Sequence, residues 1–392
     1  RDSPDAIYDH PTPLDQEGTL RRTIESTKIL KDREFDLVVI AVPTSEEIER
    51  EVEEKVREIL GSVELEGLKI HLFGPTKLQK IHEFFASKGV SEFLSLLRLR
   101  GYPNVRNMCL FIPHILGAEA ILFIDDDEVF EDPEFIEKAK EFIGRVHQGK
   151  PVYAIAGYYL QPDGDYLLKK TFRPWMRYWD QYERMNEAFR RYIGQEPRLK
   201  LTPFVFGGNM VVHRELFRRI PFDPSITRGE DIDYLLNAKM FGFDFYLDRK
   251  LSIKHLPPPK PHPIWRQLRE DIYRFIFERE KILKQREIKG MKIVTPEDLD
   301  PYPGCFLKDD LKEKISRASE LLAIEYLAKG EKESAEEALK NIVISEREAQ
   351  PTEDPFLNLL NLQKKWESLM TFVEKREVKE VLASIITSSE ER

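Results

Sequence analysis

"ILFIDDDEVF", residues 121–130, drives four apolar residues straight into three aspartates and a glutamate. The apolar run reads as a short buried strand. Adjacent like charges repel, and at low dielectric the cost is large. A cation that offsets Asp125, Asp126, Asp127 and Glu128 is therefore expected. Clustered hard oxygen donors suit Mg2+ or Mn2+, which in turn bridges phosphate oxygens. The competing reading is a solvated acidic turn, and the apolar lead-in weighs against it.

Working outward, "FDLVVIAVP" (35–43) and "LKIHLFG" (68–74) read as two more buried strands. Helices are expected over 44–60, 77–89 and 105–117 and from about 133, where Asp132-Pro133 supplies an N-cap and a first-turn proline. This alternation predicts a mostly parallel sheet with helices on both faces. Ligands of such sheets bind beyond the carboxyl ends of the strands, where the four carboxylates stand. Further on, the expectations are a hairpin over 153–170 and a helix over 174–194. An apolar segment broken by Gly207 and Gly208 follows, then a helix over 229–242. Short strands over 243–263 end in a proline-rich link. From 264 onward the pattern is helical, with one helix hairpin of the tetratricopeptide kind and no second copy.

Bulk properties exclude several classes. With 392 residues the chain has room for two or three domains, and its 41% apolar content is that of a globular protein. A net charge of −9 argues against broad nucleic-acid binding, and the stretch 301–392, with 19 acidic and 14 basic residues (net −5), is no basic arm. Two cysteines, Cys109 and Cys305, are too few for a disulfide framework and suit a reducing cytoplasm. The first residue is Arg1 rather than Met, which predicts a fragment or processed product. The longest apolar stretch, 108–124, contains Pro113, His114 and Glu119 and falls short of a membrane span. Residues 169–200 hold nine basic and four acidic residues among tryptophans and tyrosines. That suits an acceptor-binding or peripheral membrane surface, and better a core-packing helix with a basic outer face.

Two enzyme classes end an apolar strand in Asp-x-Asp: phosphatases of the haloacid-dehalogenase type and GT-A glycosyltransferases. The phosphatase motif opens its domain, whereas three α/β units come first here. The later acidic pair in "RGEDIDYLL" also opens a helix instead of ending a strand. The chain resembles the GT-A superfamily, most closely its family 2 type, over about residues 5–260. The resemblance is carried by "YDHPTPLDQEGTLRRTIESTKIL", by "NVRNMCLFIPHILGAEAILFIDDDE" with Asn107 eighteen residues before Asp125, by "FVFGGNMVVHRELFRRI", by "RGEDIDYLLNAKMFGF" and by "LSIKH".

The resemblance implies a GT-A domain over 1–263 and an α-helical extension over 264–392. It implies a nucleotide-diphosphate sugar as donor, UDP- or GDP-linked, with a hydroxyl acceptor and Mn2+ or Mg2+ as cofactor. Asp127 and His255 would hold the metal, and Asp125 would face the ribose or the metal's water. Asp126 is ambiguous, because the triple aspartate blurs the register. His10, Pro11 and Thr12 fall where the nucleobase sits, and Arg106 could meet the diphosphate or be a surface residue. Gly207 and Gly208 would let backbone approach the sugar. Glu230 and Asp231 are either a helix-capping pair or the catalytic carboxylates of an inverting enzyme, with Asp231 the general base. His262 is a weaker ligand candidate. The alternatives are a phosphatase and a non-catalytic nucleotide-sugar-binding protein.

Overall fold

The computed structural model describes residue 8 and residues 10–65, 67–259 and 262–388. The first half alternates as its sequence period demands: α1 (Leu20–Ser26), β1 (Asp36–Ile40), α2 (Glu49–Gly61), β2 (Lys69–Phe73), α3 (Pro75–Ser87), α4 (Tyr102–Leu116), β3 (Ala120–Phe123), β4 (Glu128–Val129) and α5 (Phe135–Phe142). The second half runs β5 (Val146–His147), β6 (Lys150–Pro151), β7 (Ala154–Leu160), α6 (Gln181–Tyr192), β8 (Leu199–Leu201), β9 (Met210–His213), α7 (Arg214–Phe217), α8 (Glu230–Met240) and β10 (Tyr246–His255). Helices α9 (Ile264–Leu283), α10 (Leu311–Ala328), α11 (Lys332–Glu346), α12 (Pro355–Val373) and α13 (Arg376–Thr387) complete the described chain.

Strands β1 and β2 pair in parallel. The main sheet has the order β3-β9-β7-β10-β4, with β8 on β10. β9 runs antiparallel to both β3 and β7, and β7 is parallel to β10, so β3, β7 and β10 share one direction. All four residues of β9 are buried, as a strand covered on both faces requires. The expected α/β class, a sheet flanked by helices with a helical extension, is thus the architecture observed. The carboxyl ends of β3 and β10 bring Asp125–Asp127 and His255 to one edge, and β4 pairs back on β10 with Glu128 opposite His255.

Three local expectations are corrected. The 153–170 hairpin has only its first strand: Gln161 N donates to Asp165 O (2.7 Å) to close a turn. The chain beyond it is then held by a side chain, since Leu168 N donates to Asn186 Oδ1 (2.8 Å) and Asn186 Nδ2 donates to Leu168 O (2.9 Å). One amide on α6 thereby replaces a partner strand. The 174–194 helix is split into a 3-10 turn, Pro174–Arg177, and α6, and both segments bury a tryptophan or phenylalanine inward. The short strands of 243–263 are one ten-residue strand, β10, with a register shift between Leu247 and Ser252.

The core is continuous across 263/264. One apolar cluster joins Phe111, Phe123 and Met210 of the α/β part to Phe275, Phe306, Trp366 and Ile386. Phe372 of α12 packs edge-on to Phe85 of α3 (5.8 Å). Lys77 at the start of α3 donates to Ile386 O in α13 (2.8 Å). Helix α9 is tied to α8 by a dry ionic knot: Lys281 Nζ donates to Asp233 Oδ1 (2.6 Å), Asn237 Oδ1 (3.0 Å) and Asp223 Oδ2 (3.3 Å). Its three protons thus meet three acceptors, and every member is buried. Breaking a buried pair by removing one partner strands the other charge. Lys281→Ala is expected to lower unfolding stability by about 3–5 kcal/mol, read as a drop in the urea midpoint at unchanged m-value.

Candidate active site

The acid-rich turn after β3 is built by backbone and side-chain bonds that sort its four carboxylates. Glu128 points inward and is wholly buried, and its Oε2 accepts from Asp125 N (3.0 Å). Burial, with Asp125 adding to it, drives the Glu128 carboxyl well above its usual range. Asp126 turns toward α1, where its Oδ2 accepts from Thr19 Oγ1 (2.6 Å) and its carbonyl accepts from Thr23 Oγ1 (2.5 Å). Its carboxyl is pushed up to about 6, mainly by burial. Asp125 and Asp127 are paired instead with Arg106 and His255.

Asp127 Oδ2 lies 3.4 Å from His255 Nε2, at the end of β10. Burial works against the Asp127 carboxylate, yet the histidine beside it outweighs burial and holds the group below its ordinary value. Tyr159, from the end of β7, stacks on the His255 ring at 4.6 Å and 26°. The Tyr159 hydroxyl accepts from Gly208 N (2.9 Å). Gly208 needs its hydrogen: a Cβ there would collide with Glu128 Oε1 and lie 2.7 Å from Asp125 Oδ2.

Arg106 is the link between the two acidic groups. It lies in the middle of α4, only 8% exposed, over the Phe123 ring. Its Nη2 is 2.8 Å from Asp125 Oδ1, and its Nε donates to Glu230 Oε1 (3.3 Å). Neighbouring Asp231 is fixed by backbone on both oxygens: Oδ2 accepts from Gly207 N (2.9 Å) and Oδ1 from Ile232 N (2.8 Å). Burial raises the pair. Glu230 reaches about 7, with Asp231 adding and Arg106 opposing, and Asp231 moves up against the pull of Arg274 and Arg106.

These groups stand on one cavity of about 1500 Å3, whose walls include His10, Pro11, Thr12, Arg106, Asp125, Asp126, Asp127, Asp231 and His255. Gly207, Gly208 and Glu230 reach it through their bonds to Asp231, Tyr159 and Arg106. The N-terminal segment is held there by Tyr8, whose hydroxyl accepts from Gly101 N (2.9 Å) and whose ring packs edge-on to Tyr102. His262 Nε2 lies 3.1 Å from Tyr8 O, on this clasp and not beside the aspartates. Asn107 sits out of the cavity, clamping Phe222 through its amide (2.8 and 3.0 Å). Sequence reading missed Tyr159, Thr19, Thr23 and Arg274 altogether. Their residue types carry no motif; only the fold brings them to the site.

Among the described residues no group of three or more His, Cys, Asp or Glu side chains forms a complete metal cage. Asp127 and His255 offer two donors at a separation an ion can span, since neighbouring ligands about 2.1 Å from an octahedral ion lie about 3 Å apart.

No family model and no curated protein matches the chain. Among solved structures it is similar to a mannosyltransferase from Pyrobaculum calidifontis, PcManGT, in complex with GDP-Man and Mn2+. Identity is 14% over 95% of this chain and 90% of that one, with a TM-score of 0.47. It is also similar to a mycobacterial protein (14% identity, 67% of this chain, 70% of that chain, TM-score 0.36). A third is GalNAc-T7 with UDP, GalNAc and Mn2+ (12% identity, 67% of this chain, 48% of that chain, TM-score 0.34). At these identities and scores they assign no role to any residue.

The pH response of Arg106→Gln tests the bridge. Glu230 has a folded-state value raised to about 7, so its stabilising contribution is complete below its unfolded value and fades as pH rises through about 7. Removing the arginine raises that value further. The variant is expected to lose about 3 kcal/mol at pH 8.5 and distinctly less at pH 6, where protonation neutralises the stranded Glu230 carboxyl. Equal losses at both pH values in chemical denaturation would remove Arg106 from this role.

Proposed function

We propose that the protein is a metal-dependent glycosyltransferase of the GT-A type, moving a sugar from a UDP- or GDP-linked donor to a hydroxyl acceptor with inversion. The observation that carries this reading is that one buried arginine joins two acidic groups on a single cavity wall. One group, Asp125 and Asp127 with His255, suits a divalent ion and a diphosphate. The other, Glu230 and Asp231, suits proton abstraction.

Asp127 and His255 would hold the ion, Mn2+ or Mg2+, and Asp125 would face the ribose or the metal's water. An imidazole ligand favours Mn2+ over Mg2+. Bound there, a divalent ion supplies charge neutralisation for the departing diphosphate. Glu128 and Asp126 are turned to protein partners and shape the turn. His10, Pro11 and Thr12 form the nucleobase end, clasped through Tyr8 to α4. Gly207 and Gly208, lacking side chains, let Arg106, Asp231, Glu128 and Asp125 close up behind the cavity wall.

Asp231 is the general base. Its oxygen takes the acceptor hydroxyl's proton as that oxygen attacks the anomeric carbon. The bond from that carbon to the diphosphate breaks, and its electron pair leaves with the diphosphate. A base whose pKa lies closer to the working pH is the more efficient, and burial moves the Asp231 carboxyl up in that direction. Glu230, held by Arg106, orients the acceptor's hydroxyls.

Thermal-shift titration with UDP, GDP, ADP and TDP, each with Mn2+, is expected to raise the melting temperature for one uridine or guanosine nucleotide only when the metal is present. Asp127→Ala is expected to abolish both that shift and sugar transfer. A full shift in EDTA would end the metal assignment. Asp231→Asn is expected to cut kcat by about 10²–10⁴ while nucleotide affinity holds. In the wild type kcat/KM should fall on the acid side at a pH above the ordinary aspartate range, because burial raises the Asp231 carboxyl. Unimpaired turnover in Asp231→Asn would place the base elsewhere or make the reaction retaining.

A further inference from the structure

We propose that Arg274, on α9 of the helical extension, is a positioning residue for Asp231, so that the extension completes the catalytic apparatus. The inference rests on the reading of Asp231 as general base and adds the group that presents it.

The geometry has three parts. Arg274 lies on the wall of the cavity that Asp231 also lines, yet is only 6% exposed. Its guanidinium is fixed from behind: Nη2 donates to Tyr302 Oη (3.0 Å), Nε donates to Glu278 Oε1 (3.3 Å), and the charge sits 4.5 Å over the Phe275 ring. Its front packs onto Gly229, the residue before Glu230-Asp231. Gly229 has φ +73°, and a Cβ there would collide with the Arg274 side chain. The arginine thus presses on the N-cap of α8 through bare backbone. A buried cation there needs a reason, because a helix N-terminus carries positive partial charge of its own. Glu278 and Asp271 behind it supply part of one, and the carboxylate of Asp231 adds to it.

The charges around this spot are few enough to weigh. Facing Asp231 are Glu230 and Arg106 on the acidic-turn side and Arg274 on the α9 side, with Gly207 N on one oxygen. Facing Arg274 are Glu278, Asp271 and Tyr302, and Asp271 is also 3.5 Å from Arg228. Burial pushes Glu278 up to about 8, so it is mostly protonated at neutral pH. Its bond to the guanidinium then cancels little charge, which leaves Asp271 and Asp231 to share the Arg274 cation. The Lys281 knot, two turns further along α9, holds this helix against α8 in the same register. Arg274 therefore keeps the base ionised and holds the turn that aims it, touching neither donor nor acceptor.

The test compares Arg274→Lys and Arg274→Met in the full chain. The first readout needs no substrate: the Asp231 carboxyl is titrated by 13C NMR, assigned by its loss in Asp231→Asn. Arg274→Met is expected to raise its midpoint by about one pH unit, and Arg274→Lys by less, because a buried cation is kept. The second readout is the acid limb of kcat/KM, which should move up by the same amount. kcat should fall tenfold or more, while nucleotide affinity stays within threefold. An unmoved Asp231 midpoint in a folded Arg274 variant overturns the inference. Should Arg274→Met not fold, Arg274→Lys is read by the same criterion. A wild type that binds no nucleotide and transfers no sugar defeats the functional reading instead, and the carboxyl titration still decides the role of Arg274.

Discussion

Arg106 holds two carboxylates that belong to different parts of the chain, and the site exists because of that contact. Asp125 comes from the end of β3 and Glu230 from the start of α8, and without a cation between them both would repel across a dry gap. The arginine is itself costly to bury, and it is tolerated because both its partners are charged and close. Its position on α4, directly before β3 in the chain, lets one helix serve both walls. The cavity is therefore framed by an ion-pair bridge, and the rest of the fold serves to bring the two ends of that bridge together.

The helical extension is part of this arrangement and no appendage. Helix α9 meets α8 through a buried lysine and brings a buried arginine to its first turn, two cations answering the acidic residues that α8 presents. Helix α12 reaches α7, where Trp366 Nε1 donates to Phe217 O (2.9 Å), and returns to the first α/β units, where Phe372 meets Phe85 and Phe93. A boundary at 263/264 marks a change of architecture across an unbroken core.

Much of this was legible beforehand, for identifiable reasons. Apolar runs ending in charge mark strand ends at a ligand edge, so the Asp125–Asp127 turn could be placed before any coordinates. The Glu230-Asp231 helix start was equally plain, since α8 begins at Glu230. Arg106 was so only in part: a lone arginine reads equally as a diphosphate contact or as surface, and its burial beside Glu230 depends on a residue 124 positions away. Glu128 shows the reverse error, a carboxylate that looks like part of the cation cluster but folds inward to cap Asp125 N. The 153–170 hairpin failed because an asparagine side chain on α6 did what a second strand would do. Pairings of this kind are made by tertiary placement and leave no local period to read.

The bond from Lys77 to Ile386 closes a separation of 309 residues. Translation runs at about 5–20 residues per second, so the last strip of cover reaches α3 about 15–60 s after α3 itself emerges from the ribosome. In that interval Phe85 and Phe93 lack the ring of Phe372 that seals them. The nascent amino-terminal half is thus a natural client for chaperones, and its maturation is timed by synthesis of the distant tail.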